Sequence, residues 1–310
     1  MLNSFTFYLK STTLEITKLG SGQKMKEKLV TILFSLFIFW TSIGLLFQLF
    51  SSDNRTYFIL YILGIIIIGG LCVSGFLLLV YPTWLALFII SIVIGINFVI
   101  ERFSLFNSRV GLLESSAVHA DSFFIREATI YLLPFNLAIF WLINIVSCHL
   151  LWKQITRYIR GLKSQGVIYV VGATMASMSI HRLLTPSLLN LKRYSWFQGE
   201  SFIYGEGSYR FYFNWLLIVG LLHLFIWSVL VLSENWKQTI SAEYSYQTLS
   251  VYSLIVFCTM IVGFYTLNWL TVFLYILFNG FTYFLFTQSK MGYEIDLNQL
   301  MPSFFKKKLF

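Results

Sequence analysis

Charge is the scarcest property of this sequence. Only 11% of its 310 residues are Asp, Glu, Lys or Arg, against about 25% in an ordinary soluble domain. So few charges cannot cover the surface of a soluble protein this long. The missing water-facing surface has to face lipid or other membrane subunits. Cysteine is also rare. Cys72, Cys148 and Cys258 each lie in an apolar stretch without a CxxC partner, which reads as buried free thiols.

The signatures of common chemistries are missing too. The chain has no Walker loop, GxSxG, HExxH or paired CxxC, and no motif calls for a metal or a cofactor. Gly205-Glu206-Gly207 comes nearest to a nucleotide fingerprint. It fails because Arg210 stands where the third glycine of G-x-G-x-x-G would fall. No basic stretch is interleaved with aromatics on a soluble module, so the net charge of +9 does not point to nucleic acid. The positive-inside rule accounts for it, because the basic residues sit between the apolar runs.

What remains is a chain that is 57% hydrophobic and 19% aromatic, with 32 Phe and only 4 Pro. Phe enrichment with few charges is common in membrane proteins of AT-rich genomes, organelle genomes included. A spanning helix needs about 20 apolar residues. Leu29–Phe50 is uncharged and supplies the first span. Its length, with no small-residue cleavage site after it, argues against a cleavable signal. Thr56–Ile100 is also uncharged, but as one helix it would be roughly 65 Å long, about twice the hydrocarbon thickness. Tyr81-Pro82-Thr83 near its middle predicts a tight turn between two spans. Ala128–Trp152 and Phe211–Ser233 are further spans. Tyr244–Ser289 divides in the same way near Thr266-Leu267-Asn268.

Gly166–Ile180 is harder to place. It is short and reads as ending at His181-Arg182, with Gly172, Ala176 and Ser179 on one helical face. Small residues at that spacing let helices approach closely in lipid. It reads either as a short, protein-packed crossing or as an interfacial segment. Counting Lys and Arg by side favours an even number of crossings. The expected fold is therefore all-α, a polytopic transmembrane helix bundle of six to eight spans with both termini on the same positive, inner side. Residues 1–28 form a basic N-terminal segment, 29–289 a single membrane domain and 290–310 a basic tail.

Each candidate site competes with a quieter reading. The loop 101–127 is the most polar non-basic stretch, and Glu114, His119 and Asp121 within it are candidate catalytic groups. H-x-D alone is a weak signal, and a solvated loop with local ion pairs would look the same. His223 lies at the centre of its span, where an ionisable group is a functional hypothesis by default. Asn214, Asn136 and Asn144 are the amides that could line a polar path with it, or simply glue helices together. His149, near the end of its span, reads as interfacial, and His181 as a helix-end residue. Lys153, Arg157, Arg160 and Lys163 follow spacings that fit one helical face, which predicts contact with lipid headgroups or a partner. The same residues also serve as a topology determinant. No Asp, Glu, Lys or Arg is central in any span, which counts against a proton-translocating subunit.

Two address-like features remain. Asn54-Arg55-Thr56 is a sequon too close to the membrane for modification. Lys307-Lys308-Leu309-Phe310 resembles a dilysine retrieval signal.

These readings rank a non-catalytic structural or assembly subunit of a larger membrane complex first. An organelle energy-converting membrane, such as the mitochondrial inner membrane, is the favoured location, with the endoplasmic reticulum as the alternative. Its partners would be membrane lipids and other membrane subunits. A transporter or channel with a polar path near His223 comes second. Third is a membrane enzyme that acts on a lipid-linked substrate through the 101–127 loop.

Overall fold

The computed structural model describes residues 21–50, 55–112, 123–159, 161–190, 208–238, 242–265 and 269–290. Among them the chain is all-helical, with eight helices and no strand. They are α1 (Ser21–Phe50), α2 (Arg55–Val80), α3 (Thr83–Leu112), α4 (Phe123–Thr156), α5 (Leu162–Asn190), α6 (Ser208–Leu232), α7 (Ala242–Tyr265) and α8 (Trp269–Lys290). Among the described residues six of these, all but α5 and α7, are long and apolar enough to cross a membrane. Phe39, Trp84 and Leu221 are 61%, 62% and 63% exposed on the outer face. Water does not tolerate so many bare large side chains, whereas acyl chains do. The protein is a multi-pass membrane helix bundle.

The predicted turn at Tyr81-Pro82-Thr83 separates α2 from α3. The Tyr81 N–H still donates to the Leu77 carbonyl, and the Pro82 carbonyl accepts from Leu85 and Ala86 to open the next helix. Pro82 has no donor to continue α2, so the break falls there. The second long uncharged stretch also divides, with α7 ending at Tyr265 and α8 starting at Trp269.

Three expectations change. The loop predicted over 101–127 is shorter, because α3 runs on to Leu112 and α4 begins at Phe123. Charges mark where the hydrocarbon ends, but a helix keeps its own hydrogen bonds beyond that point. For the same reason the short segment 166–180 is part of a longer helix. α5 continues through His181 and Arg182 to Asn190, about 43 Å at 1.5 Å per residue. Lastly, residues 153–163 do not form one helical face. α4 stops at Thr156, the Ile159 N–H bonds back to the Thr156 carbonyl, and Gly161 adopts φ 87° before α5 starts. Only glycine takes that left-handed conformation without a Cβ penalty.

α4 is the central element, packing against α3, α5, α2, α7 and α8. Across Ala138–Thr156, 83% of its residues are buried. α5 lies against it, and the Gly172 backbone sits directly on the Trp152 ring. This is the close approach that the small-residue face predicted.

Candidate functional site

Three turns meet at one end of the bundle. Gln165, in the first turn of α5, donates through Nε2 to the Ile159 carbonyl at 2.7 Å. Its Oε1 accepts from the Trp236 indole at 2.9 Å. The α4–α5 turn is thereby tied to the segment that follows α6. That segment has a Schellman geometry. The Asn235 N–H reaches the Leu230 carbonyl, the Glu234 N–H reaches Val231, and Glu234 takes φ 58°. Glycine usually fills this position. The turn presents the Asn235 carbonyl to the interior.

Lys153, on the last turn of α4, points inward to meet it. It is 6% exposed, not on the headgroup face the sequence suggested. Its Nζ donates to the Tyr81 hydroxyl at 2.8 Å and approaches the Asn235 carbonyl at 3.5 Å. The Tyr81 ring lies 4.4 Å from Nζ and the Trp236 ring 5.8 Å. These neutral oxygens and aromatic faces stand in for a water shell.

From Lys153 an unbroken line of polar groups runs into the bundle. The Tyr81 hydroxyl is 2.9 Å from His149 Nε2. His149 Nδ1 is 2.6 Å from the Tyr169 hydroxyl. That hydroxyl is 3.2 Å from His223 Nδ1, and His223 Nε2 is 3.2 Å from Ser177 Oγ. Beyond Ser177, Asn144 Nδ2 donates to the Ser177 carbonyl at 3.1 Å, and the Cys148 thiol donates to Asn144 Oδ1 at 3.5 Å. His149, Tyr169, His223, Ser177 and Asn144 are each 0% exposed. The Tyr169 ring stands nearly perpendicular to both imidazoles, at 88° and 89°. A single phenol therefore bridges two histidines on different helices.

Helical spacing makes the arrangement possible. His149 and Lys153 are one turn apart on α4, and Tyr169 and Ser177 are about two turns apart on α5. Both ring nitrogens of both histidines are engaged. Each link contributes about 0.6 kcal/mol in a membrane setting, and leaving one partner unpaired costs more. Thr174 Oγ1, one turn from Ser177, is buried without a partner. It lies beside Gly220, where an added Cβ would stand 3.7 Å from it.

No protein-family model, curated protein or solved structure matches this chain. The reading of the site therefore rests on its own geometry.

The structure redistributes the residues singled out from sequence. His223 and Asn144 join one cluster. Asn214 is exposed on the outer face of α6, so it does not line a path with His223. The Asn136 side chain lies outside the described residues, as do Arg160 and the loop candidates Glu114, His119 and Asp121. Arg157 and Lys163 are exposed. Among the described members of the basic set, Lys153 alone turns inward. His149 is fully buried rather than interfacial. Tyr81, Tyr169 and Ser177 were missed, because Tyr and Ser in apolar runs read as ordinary packing. The i, i+4 pair of His149 with Lys153 was the available signal. Among the described residues no three His, Cys, Asp or Glu side chains gather as a metal site.

Proposed function

We propose that this chain is a membrane transport protein whose working element is the buried polar line from Lys153 to Ser177. One observation supports the reading. Six titratable or hydroxyl-bearing side chains, from α4, α5, α6 and the α2–α3 turn, join head to tail inside the bundle. Intramembrane ionisable groups are costly to keep and mark ion or substrate pathways by default. A scaffold subunit needs an apolar outer face and a few helix-gluing amides, and gains nothing from two histidines and a lysine in series. The transport reading therefore moves ahead of the complex-subunit reading. The exposed Arg157, Lys163 and Lys237 surround the Lys153 end, which makes that end the inner side by the positive-inside rule.

The test is flux in proteoliposomes that hold the purified chain. His223→Ala should lower it by about tenfold or more, because it breaks the line between Tyr169 and Ser177. Flux equal to that of the unmodified chain, in a variant that still folds, would remove the path from the mechanism.

A further inference from the structure

The transported species can be read from how tightly the line is closed. Successive heavy atoms from Lys153 Nζ to Ser177 Oγ stand 2.6 to 3.2 Å apart. That is ordinary hydrogen-bond contact, and no ion passes between atoms so spaced unless they separate. A metal cation arriving at the Lys153 end would also meet an ammonium, which offers donors and no lone pair. An anion would be attracted there, but would then face a closed row of side chains. A proton needs no gap, because it moves by exchange along the bonds themselves.

The donors and acceptors also order themselves in one direction. A protonated Lys153 can only donate, so the Tyr81 oxygen accepts from it. The Tyr81 O–H then points to His149 Nε2, which leaves Nδ1 carrying the His149 proton. That N–H points to the Tyr169 oxygen, whose own O–H goes to His223 Nδ1. His223 Nε2–H then faces Ser177 Oγ. Tyr81, His149, Tyr169 and His223 each donate one proton along the line and accept one. A branched structural network does not need this property.

We infer that the transported ion is the proton, taken into the bundle by concerted transfer along Lys153–Tyr81–His149–Tyr169–His223; the inference rests on the transport reading above. In one transfer, Lys153 gives a proton to the Tyr81 oxygen and Tyr81 gives its own to His149 Nε2. His149 passes its Nδ1 proton to Tyr169, and Tyr169 passes its own to His223 Nδ1. His223 keeps its Nε2 proton, which donates to Ser177 Oγ, and so becomes the imidazolium. Tyr81, His149 and Tyr169 end neutral, Lys153 ends as the amine, and the positive charge rests on His223. A second transfer requires that His223 has given up a proton, that Lys153 is reprotonated from the Asn235 side, and that the tyrosine hydroxyls and the His149 tautomer have returned to their starting order. The charged and titratable groups that face Lys153 are Tyr81 from the α2–α3 turn, His149 and Arg157 from its own end of the chain, and the neutral Asn235 and Trp236 after α6.

Tyr169→Phe is the discriminating variant. It keeps the ring against His149, His223 and Trp236 and deletes the one oxygen both histidines share. Tyr81→Phe is the second variant, in case Tyr169→Phe does not fold. The full chain would be reconstituted with an entrapped pH dye, in parallel with tracer Na⁺, Rb⁺ and Cl⁻. The expected result is proton flux in the unmodified chain, reduced about a hundredfold in either variant, the scale of a lost positioned proton-transfer group. A folded Tyr169→Phe or Tyr81→Phe that conducts protons like the parent would overturn the inference. Flux of a tracer ion without protons would overturn it too, while leaving the transport reading in place. No flux of any of the four would overturn both.

Discussion

Single residues in this bundle are held against their own preferences by what they present. Glu234 is the clearest case. A non-glycine side chain in the left-handed region costs about 1–2 kcal/mol, yet Glu234 holds φ 58° at the C′ position of α6. The strained turn brings the Asn235 carbonyl to within 3.5 Å of Lys153 Nζ. Glu234→Gly should relieve the strain and keep the turn. Part of the gain is offset because glycine loses more freedom on folding. The expected outcome is a net gain of about 1 kcal/mol, seen as a higher thermal midpoint in detergent, with flux unchanged. A lower midpoint would mean that the Glu234 carboxylate makes a stabilising contact of its own. Lys153 shows the same tension from the other side. A lysine one turn from the end of a span ordinarily snorkels to the headgroups, but here two turns and two aromatic faces close around it. Sequence could place Lys153 at the end of the span. It could not show which side of α4 the residue occupies, because that depends on turns contributed by residues 81 and 235.

At the scale of the helix, hydropathy and burial part company. α4 is the most buried of the six apolar spans, although Asn144, Ser147, His149, Lys153 and Thr156 make it one of the more polar. Its polar groups meet protein and not lipid. The apolar runs and the Tyr81-Pro82 break were legible because they depend on length and on a missing donor, both local properties. The site was less legible because it depends on which faces of α4, α5 and α6 meet. The best sequence clue to that meeting was the Gly172 stripe, which marks where α5 lies on Trp152. Two glycines should therefore respond in opposite ways. Alanine raises helix propensity by about 1 kcal/mol at either position. At Gly172 its methyl would collide with the Trp152 ring, which is itself stacked on Phe278. At Gly220 it would meet only Thr174, at an ordinary contact distance. Overpacking costs about 1–3 kcal/mol. Gly172→Ala should therefore lower the thermal midpoint, while Gly220→Ala leaves it level or raises it. The opposite order would show that α5 does not pack on α4 through this face.

For the whole molecule, the open question from sequence was whether six or eight segments cross. Among the described residues α5 and α7 do not reach the length and apolarity of a span, yet α5 is packed between α4 and α6, and α7 against α4 and α5. Interior helices need less apolar surface, because their neighbours cover them. The bonds Lys153–Tyr81 and Trp236–Gln165 also place the α2–α3, α4–α5 and α6–α7 connections at one end. Three connections can share an end only if the helices between them run across the bundle and back. We therefore expect α5 to cross. Single cysteines at Lys163 and Lys237 should react with an impermeant thiol reagent from the same face of sealed vesicles. A cysteine at Glu200, between α5 and α6, should react from the opposite face. If Glu200 and Lys163 labelled from one side, α5 would lie along the interface. His223, approached through α5 by Tyr169 and Ser177, would then be out of reach of Lys153, and the polar line could not span the depth the bonds describe.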